Sequence, residues 1–424
     1  MSGRMSGPMS GRRPHVVIAG AGLAGCALAM LLRRRGIAVT LLAAPASPAA
    51  GRAVEALPEA AVRLLQEIGL ATALRRAGGV AVRGFENCWE PGAPRRLEGW
   101  WVHVERTALT REARAEAQRQ GARFRATGVD LDLETAAPAI DATGRGARHT
   151  RPLARSGAAV AALFDGPGSR RAEPGRVARI AGGWVYRLAH PERTTVGVVA
   201  APGSAAPRTL PEEAAAALAL PAPEAFVSTG RRPAFAQWAV EPIRGRALAI
   251  GDAALAYDPL AGQGLRFALA SALAAAPLIA AWSEGDDGLA AADYYRTFLL
   301  AARQRHLHKL EELYGAAAGR ADEALAPTET GEAWWRFAAA TRRTGLQRAG
   351  RIEMDEALVC ADGGLVRWLG GFDLLRLRAL ASSPCRLSDL GDRLEREGLG
   401  RDGSPALLAW CVRHGLLAAC PPQP

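Results

Sequence analysis

The order of apolar and polar positions divides the chain into elements from its beginning. Val16-Val17-Ile18-Ala19 is an unbroken apolar run, the pattern of a strand covered on both faces. Leu28, Leu31 and Leu32 follow at helical spacing as far as Gly36, and Ile37-Ala38-Val39-Thr40-Leu41-Leu42 reads as a second buried strand. Further on, Ala139-Ile140-Asp141-Ala142 predicts a strand that ends in the tight turn Thr143-Gly144-Arg145. Trp184-Val185-Tyr186-Arg187-Leu188 and Thr194-Thr195-Val196-Gly197-Val198-Val199 alternate as the arms of a β-hairpin. Leu248-Ala249-Ile250 predicts another strand, and an apolar helix is expected from about Leu265 to Trp282. Apolar spacing predicts helices from Tyr294 to about Ala318 and from Glu332 to about Gln347, with Trp334-Trp335 packing the latter. Near the end, Leu387, Leu390 and Leu394 mark a short helix. Leu407, Leu408, Cys411 and Val412, after Pro405, mark another that Gly415 ends.

The first two strands enclose Gly20-Ala21-Gly22-Leu23-Ala24-Gly25, a G-x-G-x-x-G in its required strand–turn–helix–strand setting. Gly20 permits the tight turn, Gly22 lets backbone approach a pyrophosphate, and Gly25 lets helix and strand pack closely. The helix start offers free N–H groups and the positive end of its dipole to phosphates. One element of the pattern is missing. The acidic residue that binds ribose hydroxyls about 20 positions on is replaced by Ala43 and Ala44, and the first carboxylate of the chain is Glu55.

Composition adds bounds rather than direction. A chain of 424 residues, 49% apolar and 22% charged, is long enough for two or three domains. The formal charge of +11 is carried almost entirely by arginine, Lys309 being the only lysine. Genome composition accounts for this more simply than a nucleic-acid partner. The six cysteines show no C-x-x-C spacing and no nearby histidine cluster, so no metal site is expected and reduced intracellular thiols are. Arg12-Arg13 ahead of the Val16–Leu32 run imitates a targeting signal, but the three glycines and Arg33-Arg34-Arg35 fit a strand, turn and helix. The expected location is therefore cytoplasmic, without a membrane partner, and residues 1 to 14 read as a disordered tail.

Three ordered motifs between about residues 15 and 285 resemble the class A flavoprotein monooxygenase family, with its p-hydroxybenzoate hydroxylase-like fold. They are Gly20 to Gly25, the Gly251-Asp252 pair after the Leu248 strand, and Pro259-Leu260-Ala261-Gly262-Gln263-Gly264. The resemblance implies an α/β fold: a Rossmann-type FAD-binding domain, an inserted mainly antiparallel substrate sheet and a small C-terminal helical domain. It implies FAD as cofactor and molecular oxygen as co-substrate. By family role, Gly20, Gly22, Leu23, Ala24 and Gly25 hold the FAD pyrophosphate and Asp252 the ribityl chain. Pro259, Gly262, Gln263 and Gly264 lie beside the isoalloxazine ring, and Arg52 and Arg106 match arginines near FAD. Many members have Asp-Gly where this chain has Thr143-Gly144, so either NAD(P)H or a separate reductase is left as electron source.

The expected organisation is a monooxygenase core at 15–350, with the substrate sheet at about 81–103 and 151–244, then a C-terminal domain at 351–424. That domain resembles a winged-helix module. Its first helix mixes Asp389, Asp392, Glu395 and Glu397 with Arg386, Arg393 and Arg396, so no basic recognition face results and no nucleic-acid partner is expected. Length, FAD motifs and tail together resemble the flavoprotein monooxygenases that mature quinohemoprotein amine dehydrogenases. These hydroxylate a peptidyl tryptophan during tryptophylquinone cofactor biogenesis, which implies a polypeptide of an amine dehydrogenase as substrate. A small-molecule aromatic hydroxylase, an isoprenoid-type flavin reductase and a non-catalytic flavin-bearing maturation chaperone stay open. A flavin halogenase is disfavoured because it would need a lysine in the N-terminal part. The candidate substrate residues are Trp184, Tyr186, His190 and Trp238, with core packing as the plainer role for the aromatics and surface exposure for His190.

Overall fold

The computed structural model describes residues 15–43, 53–90, 92–126, 138–150, 153–156, 159–200, 204–315, 334–348, 351–361, 363–369, 372–397, 399 and 403–421. The chain divides into two compact units, Met1–Asp287 and Gly288–Pro424.

The first unit is built on two large sheets. One has six strands, in the order Ile243–Arg244, Ala247–Ala249, Ala139–Asp141, His15–Ala19, Ala38–Ala43 and Arg123–Ala126. All but the first pair in parallel. The central strands are apolar because helices cover them: Leu23–Arg34 is buried from Leu23 to Leu32 and packs against Gly264–Ser283. Helix 264–283 is the one element among the described residues long and apolar enough to cross a membrane, and here its apolar side chains are mostly buried within the unit.

The second sheet has eight strands, in the order Val227–Pro233, Val160–Pro167, Arg193–Ala200, Gly183–His190, Gly175–Ile180, Val80–Cys88, Arg95–Glu105 and Val54–Pro58. The expected hairpin is its centre, with Tyr186 opposite Gly197. Except for the parallel pair 80–88 and 175–180, its strands are antiparallel. A third sheet of three short strands, Leu255–Ala256, Ala236–Ala239 and Leu153–Ser156, belongs to the same unit.

In the second unit, helix Leu289–Gly315 lies on the hairpin Thr341–Arg348/Arg351–Val359. Asp293 fixes that contact by accepting from Thr344 Oγ1 at 2.6 Å and from the Gly345 N–H at 3.0 Å. The helix expected over 332–347 is not formed. Trp334–Phe337 is instead the middle strand of a small sheet, between Cys385–Arg386 and Leu417–Cys420. The side chains of Trp335 and Phe337 pack into the apolar cluster around Leu390, Leu394, Leu408 and Cys411, so cross-strand packing outweighs local helical spacing. The two C-terminal helices form at Leu387–Arg396 and Gly403–Arg413, as expected. The hairpin pairing runs through Arg348 and Arg351, across the 350/351 boundary expected from the sequence, and the two compact units divide after Asp287.

Candidate flavin and substrate site

Two turns at the ends of the parallel strands meet, and a third follows the short antiparallel strand Leu255–Ala256. Gly20 has φ +110°, and a Cβ there would lie 2.1 Å from the Ala142 carbonyl oxygen, so only glycine lets the first turn pass the 139–141 strand. A Cβ on Gly25 would lie 2.1 Å from the Gly20 oxygen, which enforces the close return of the helix. A Cβ on Gly22 would meet nothing within 4 Å. That open space lies at the start of helix Leu23–Arg34, where Leu23 and Ala24 are buried and the first-turn N–H groups lack intrahelical partners. Arg114, from helix Arg106–Arg119, steadies this turn by donating from Nε to the Ala21 oxygen at 2.6 Å.

The second turn follows strand 247–249. Ile250 N–H donates to the Asp141 oxygen at 2.9 Å. Gly251 has φ +58°, and a Cβ there would lie 2.9 Å from the Ala24 Cβ. Its N–H donates to the buried Ser271 hydroxyl at 2.9 Å. Asp252 comes next and is half-buried. In the third turn the Asp258 carboxylate accepts from the Leu260 N–H at 2.9 Å and caps Pro259–Ala261. Gly262 follows with φ +59°, and Gly264 opens the helix. Cβ atoms on Gly262 and Gly264 would meet nothing within 4 Å, while Gln263 Oε1 accepts from Arg266 Nε at 2.5 Å.

Two arginines stand among these turns. Arg106 Nη1 donates to Glu55 Oε1 at 3.0 Å, and the charges of Glu55 and then Asp252 favour its cationic form. Arg145 donates from Nη1 to the Phe235 oxygen at 2.8 Å and from Nη2 to the Tyr257 oxygen. Burial lowers its pKa, opposed by Asp252 and Asp258. Asp141 is turned away from this space and spent on structure. It accepts from the Thr143 N–H, the Thr143 hydroxyl, the His149 N–H and the Thr150 hydroxyl.

The eight-stranded sheet contributes an aromatic face. Trp184 is buried with Ala159, Ala161, Val199 and Ala234, and Trp89, Val177, Tyr186 and Leu260 pack against that group. The Trp184 and Tyr186 ring centroids are 5.7 Å apart. Gly197 makes this possible, since a Cβ there would fall 2.0 Å from Tyr186 Cε1. Burial pushes the Tyr186 phenol above its ordinary pKa and the nearby Glu55 charge adds to the shift, so the phenol stays neutral. Leu260, from the third turn, thus packs against the same apolar cluster as Trp184 and Tyr186.

The other expected residues fall elsewhere. His190 is not a surface residue: it is 5% exposed, and its Nε2 is 2.8 Å from the Gly78 oxygen. Its strand ends against the loop after helix Ala71–Arg76, which buries the ring. Trp238 lies in the separate three-stranded sheet, opposite Ala154 and Leu255. Arg52 lies outside the described residues. Sequence reasoning did not single out Trp89, Arg114 or Arg145, and it treated Glu55 only as the first carboxylate. That late appearance of an acid was the available signal for Glu55.

Residues 13–145 match the family model of an FAD binding domain. No curated protein matches the chain in sequence. Among solved structures, the chain is similar to QhpG, a peptidyl tryptophan dihydroxylase essential for tryptophylquinone cofactor biogenesis. The identity is 23% over 96% of this chain and 100% of that one, with a TM-score of 0.67. It is similar to CmlS, a flavin-dependent halogenase, at 18% identity over 96% of each chain, with a TM-score of 0.71. It also resembles 2-methyl-3-hydroxypyridine-5-carboxylic acid oxygenase, at 16% identity over 74% of this chain and 94% of that one, with a TM-score of 0.57. Residues 13–145 thus match an FAD binding domain, and the chain as a whole has the fold that these flavin-dependent enzymes share.

Proposed function

We propose that the protein is an FAD-dependent monooxygenase that hydroxylates an aromatic ring, and that this ring is a tryptophan carried by a polypeptide. One juxtaposition carries the reading: Leu260, inside the Pro259–Gly264 loop, packs against the same apolar cluster that holds Trp184 and is flanked by Tyr186. A flavin-binding loop and a face suited to a flat aromatic substrate therefore share one site. The residues fit FAD. The space above Gly22 and the start of helix 23–34 suit its pyrophosphate, and the open sides of Gly262 and Gly264 leave room for a planar ring system. Asp252 is assigned to the ribityl hydroxyls and Arg106, held by Glu55, to the flavin side of the site. Once reduced, FAD supplies the oxygen activation that transfers a hydroxyl group.

The chain's own task is then to orient the substrate and exclude water. Trp184, Val199 and Leu260 form an apolar wall, and neutral Tyr186 offers a hydroxyl donor beside Arg106 rather than a base. The helix beginning at Gly264 turns its free N–H groups toward the loop, favouring negative charge there. Thr143-Gly144 stands where many members of the resembled family have Asp-Gly, which supports a separate reductase over direct NAD(P)H use. The QhpG likeness supports the polypeptide substrate. Halogenation is disfavoured because the only lysine, Lys309, is exposed and paired with Glu312 at 2.8 Å. The cytoplasmic location is part of the same proposal.

The test is to load the protein with FAD, reduce it without oxygen, and admit labelled dioxygen with a panel of tryptophan peptides. Labelled oxygen on the indole ring is the expected product. Reoxidation that yields hydrogen peroxide and leaves every peptide unchanged would contradict the proposal, and a halogenated ring in the presence of halide would replace it.

A further inference from the structure

We propose that the free edge of the eight-stranded sheet and the cleft beside it dock an extended, acidic polypeptide segment by strand addition. Among the described residues, strand Val227–Pro233 ends the sheet order and pairs on one side only, with Val160–Pro167. All seven of its residues are exposed, and Val227 is 67% exposed, an unusual position for a β-branched apolar side chain. An unpaired strand edge presents a row of backbone donors and acceptors that another extended chain can complete.

Beside its first residues lies a cleft of about 850 Å³, with Phe164, Leu210, Leu220, Phe226 and Val227 among its walls. Helix Glu212–Ala217 borders it. The cleft lies on the sheet face opposite Trp184, because Phe164 belongs to the apolar cluster of Val185, Val196 and Val198. It is therefore a separate site from the flavin-side face.

Both faces of the strand carry an arginine at its far end. Arg231 pairs with Ala162 of the cleft-side cluster, whereas Arg232 pairs with Ala161 of the aromatic face. Among the described residues Arg208, Arg231 and Arg232 have no carboxylate partner, while Glu212 and Glu224 stand at the cleft wall. A bulge between Ser228 and Gly230, with Gly230 at φ +127°, separates the apolar end from the basic end. From Val227 to Arg231 the strand spans roughly 13 Å at ~3.3 Å per residue. The segment that fits is an extended chain with an apolar side chain for the cleft and carboxylates about four positions along. The class of partner, a polypeptide, rests on the substrate reading above.

The test uses the full chain loaded with FAD and a fluorescein-labelled peptide of alternating valine and aspartate or glutamate. Anisotropy is followed for this probe, for its lysine counterpart and for a backbone N-methylated acidic copy. Val227→Asp and Arg231→Glu are compared with the wild type, with flavin content and melting temperature as folding controls. The proposal expects the acidic probe to bind. It expects the lysine and N-methylated copies, and both variants, to bind at least about tenfold more weakly, with flavin content unchanged. Absence of binding, equal binding by wild type and variants, or equal binding of the N-methylated copy would overturn it. So would a wild-type dimer that Val227→Asp turns into a monomer, since the edge would then serve a second copy. No turnover is measured, so a failure here is distinguishable from a failure of the hydroxylation reading.

Discussion

At the residue scale, single groups carry separable duties. Among the described residues the Asp252 carboxylate has no side-chain hydrogen bond that holds the fold, and its charge acts on both Arg106 and Arg145. Asp252→Ala is expected to lower flavin retention after gel filtration by about tenfold or more while leaving the melting temperature of the flavin-free protein nearly unchanged. Gly25→Ala should destabilise the fold along with the phosphate turn, because its Cβ would collide with the Gly20 oxygen. A loss of about 1–3 kcal/mol is expected, read by urea unfolding. His103 provides a pH signature. It is fully buried, hydrogen-bonds from Nδ1 to the Ala189 oxygen at 2.8 Å, and burial pushes its pKa below 6.5. The unfolded chain then binds the proton more readily than the folded one. The stability this neutral imidazole contributes is full above its unfolded value and is lost as pH falls through that value toward the folded one. The melting temperature should drop between about pH 7.5 and about pH 5.5, and His103→Gln should flatten that part of the profile.

At the element scale, the sheet that presents the aromatic face is pinned by charge. Arg193 donates from Nη1 to Asp165 Oδ2 at 3.0 Å and approaches Glu105 Oε2 at 3.5 Å, all three being largely buried. Thr195 ties the same Asp165 at 2.8 Å and accepts from the Val54 N–H at 3.0 Å, linking strand 54–58 to the middle of the sheet. Arg193→Ala would leave two buried carboxylates without their cation, and a loss of about 3 kcal/mol is expected by denaturant titration. Much at this scale was legible in the sequence. The G-x-G-x-x-G turn, the 183–200 hairpin, helix 264–283 and the two C-terminal helices each announce themselves within one short window. What was not legible depends on distant partners. Trp334–Phe337 becomes a strand because Cys385–Arg386 and Leu417–Cys420 flank it, about 50 and 80 residues further on. His190 looked exposed beside Pro191 until Gly78 covered it. The meeting of Glu55 with Arg106 joins a strand and a helix start that no local pattern connects.

At the scale of the whole molecule, the place where the chain is divided decides which C-terminal fragment can fold. A fragment beginning at Gly288 keeps helix 289–315, the 341–359 hairpin and the middle strand of the small sheet. A fragment beginning at residue 351 loses one arm of the hairpin and that middle strand. The first is expected to melt cooperatively by circular dichroism and the second to lack a transition. Fold alone does not choose the reaction, since hydroxylases and halogenases share this architecture. The choice rests on what lines the site: an aromatic pair, a neutral phenol, an arginine held by a carboxylate, and no lysine in the first unit.

All of this depends on FAD entering the space between the three turns, and Gly22 offers the most direct measurement. Its φ lies outside the left-handed region and a Cβ there would meet nothing, so Gly22→Val should fold normally. The added side chain would instead fill the space assigned to the pyrophosphate. Titration with FAD, followed by visible absorption and flavin fluorescence, should show stoichiometric uptake by the wild-type protein and uptake weakened by about a hundredfold in Gly22→Val, at equal melting temperature without flavin. No uptake by the wild type, or equal uptake by both, would contradict the assignment of this site.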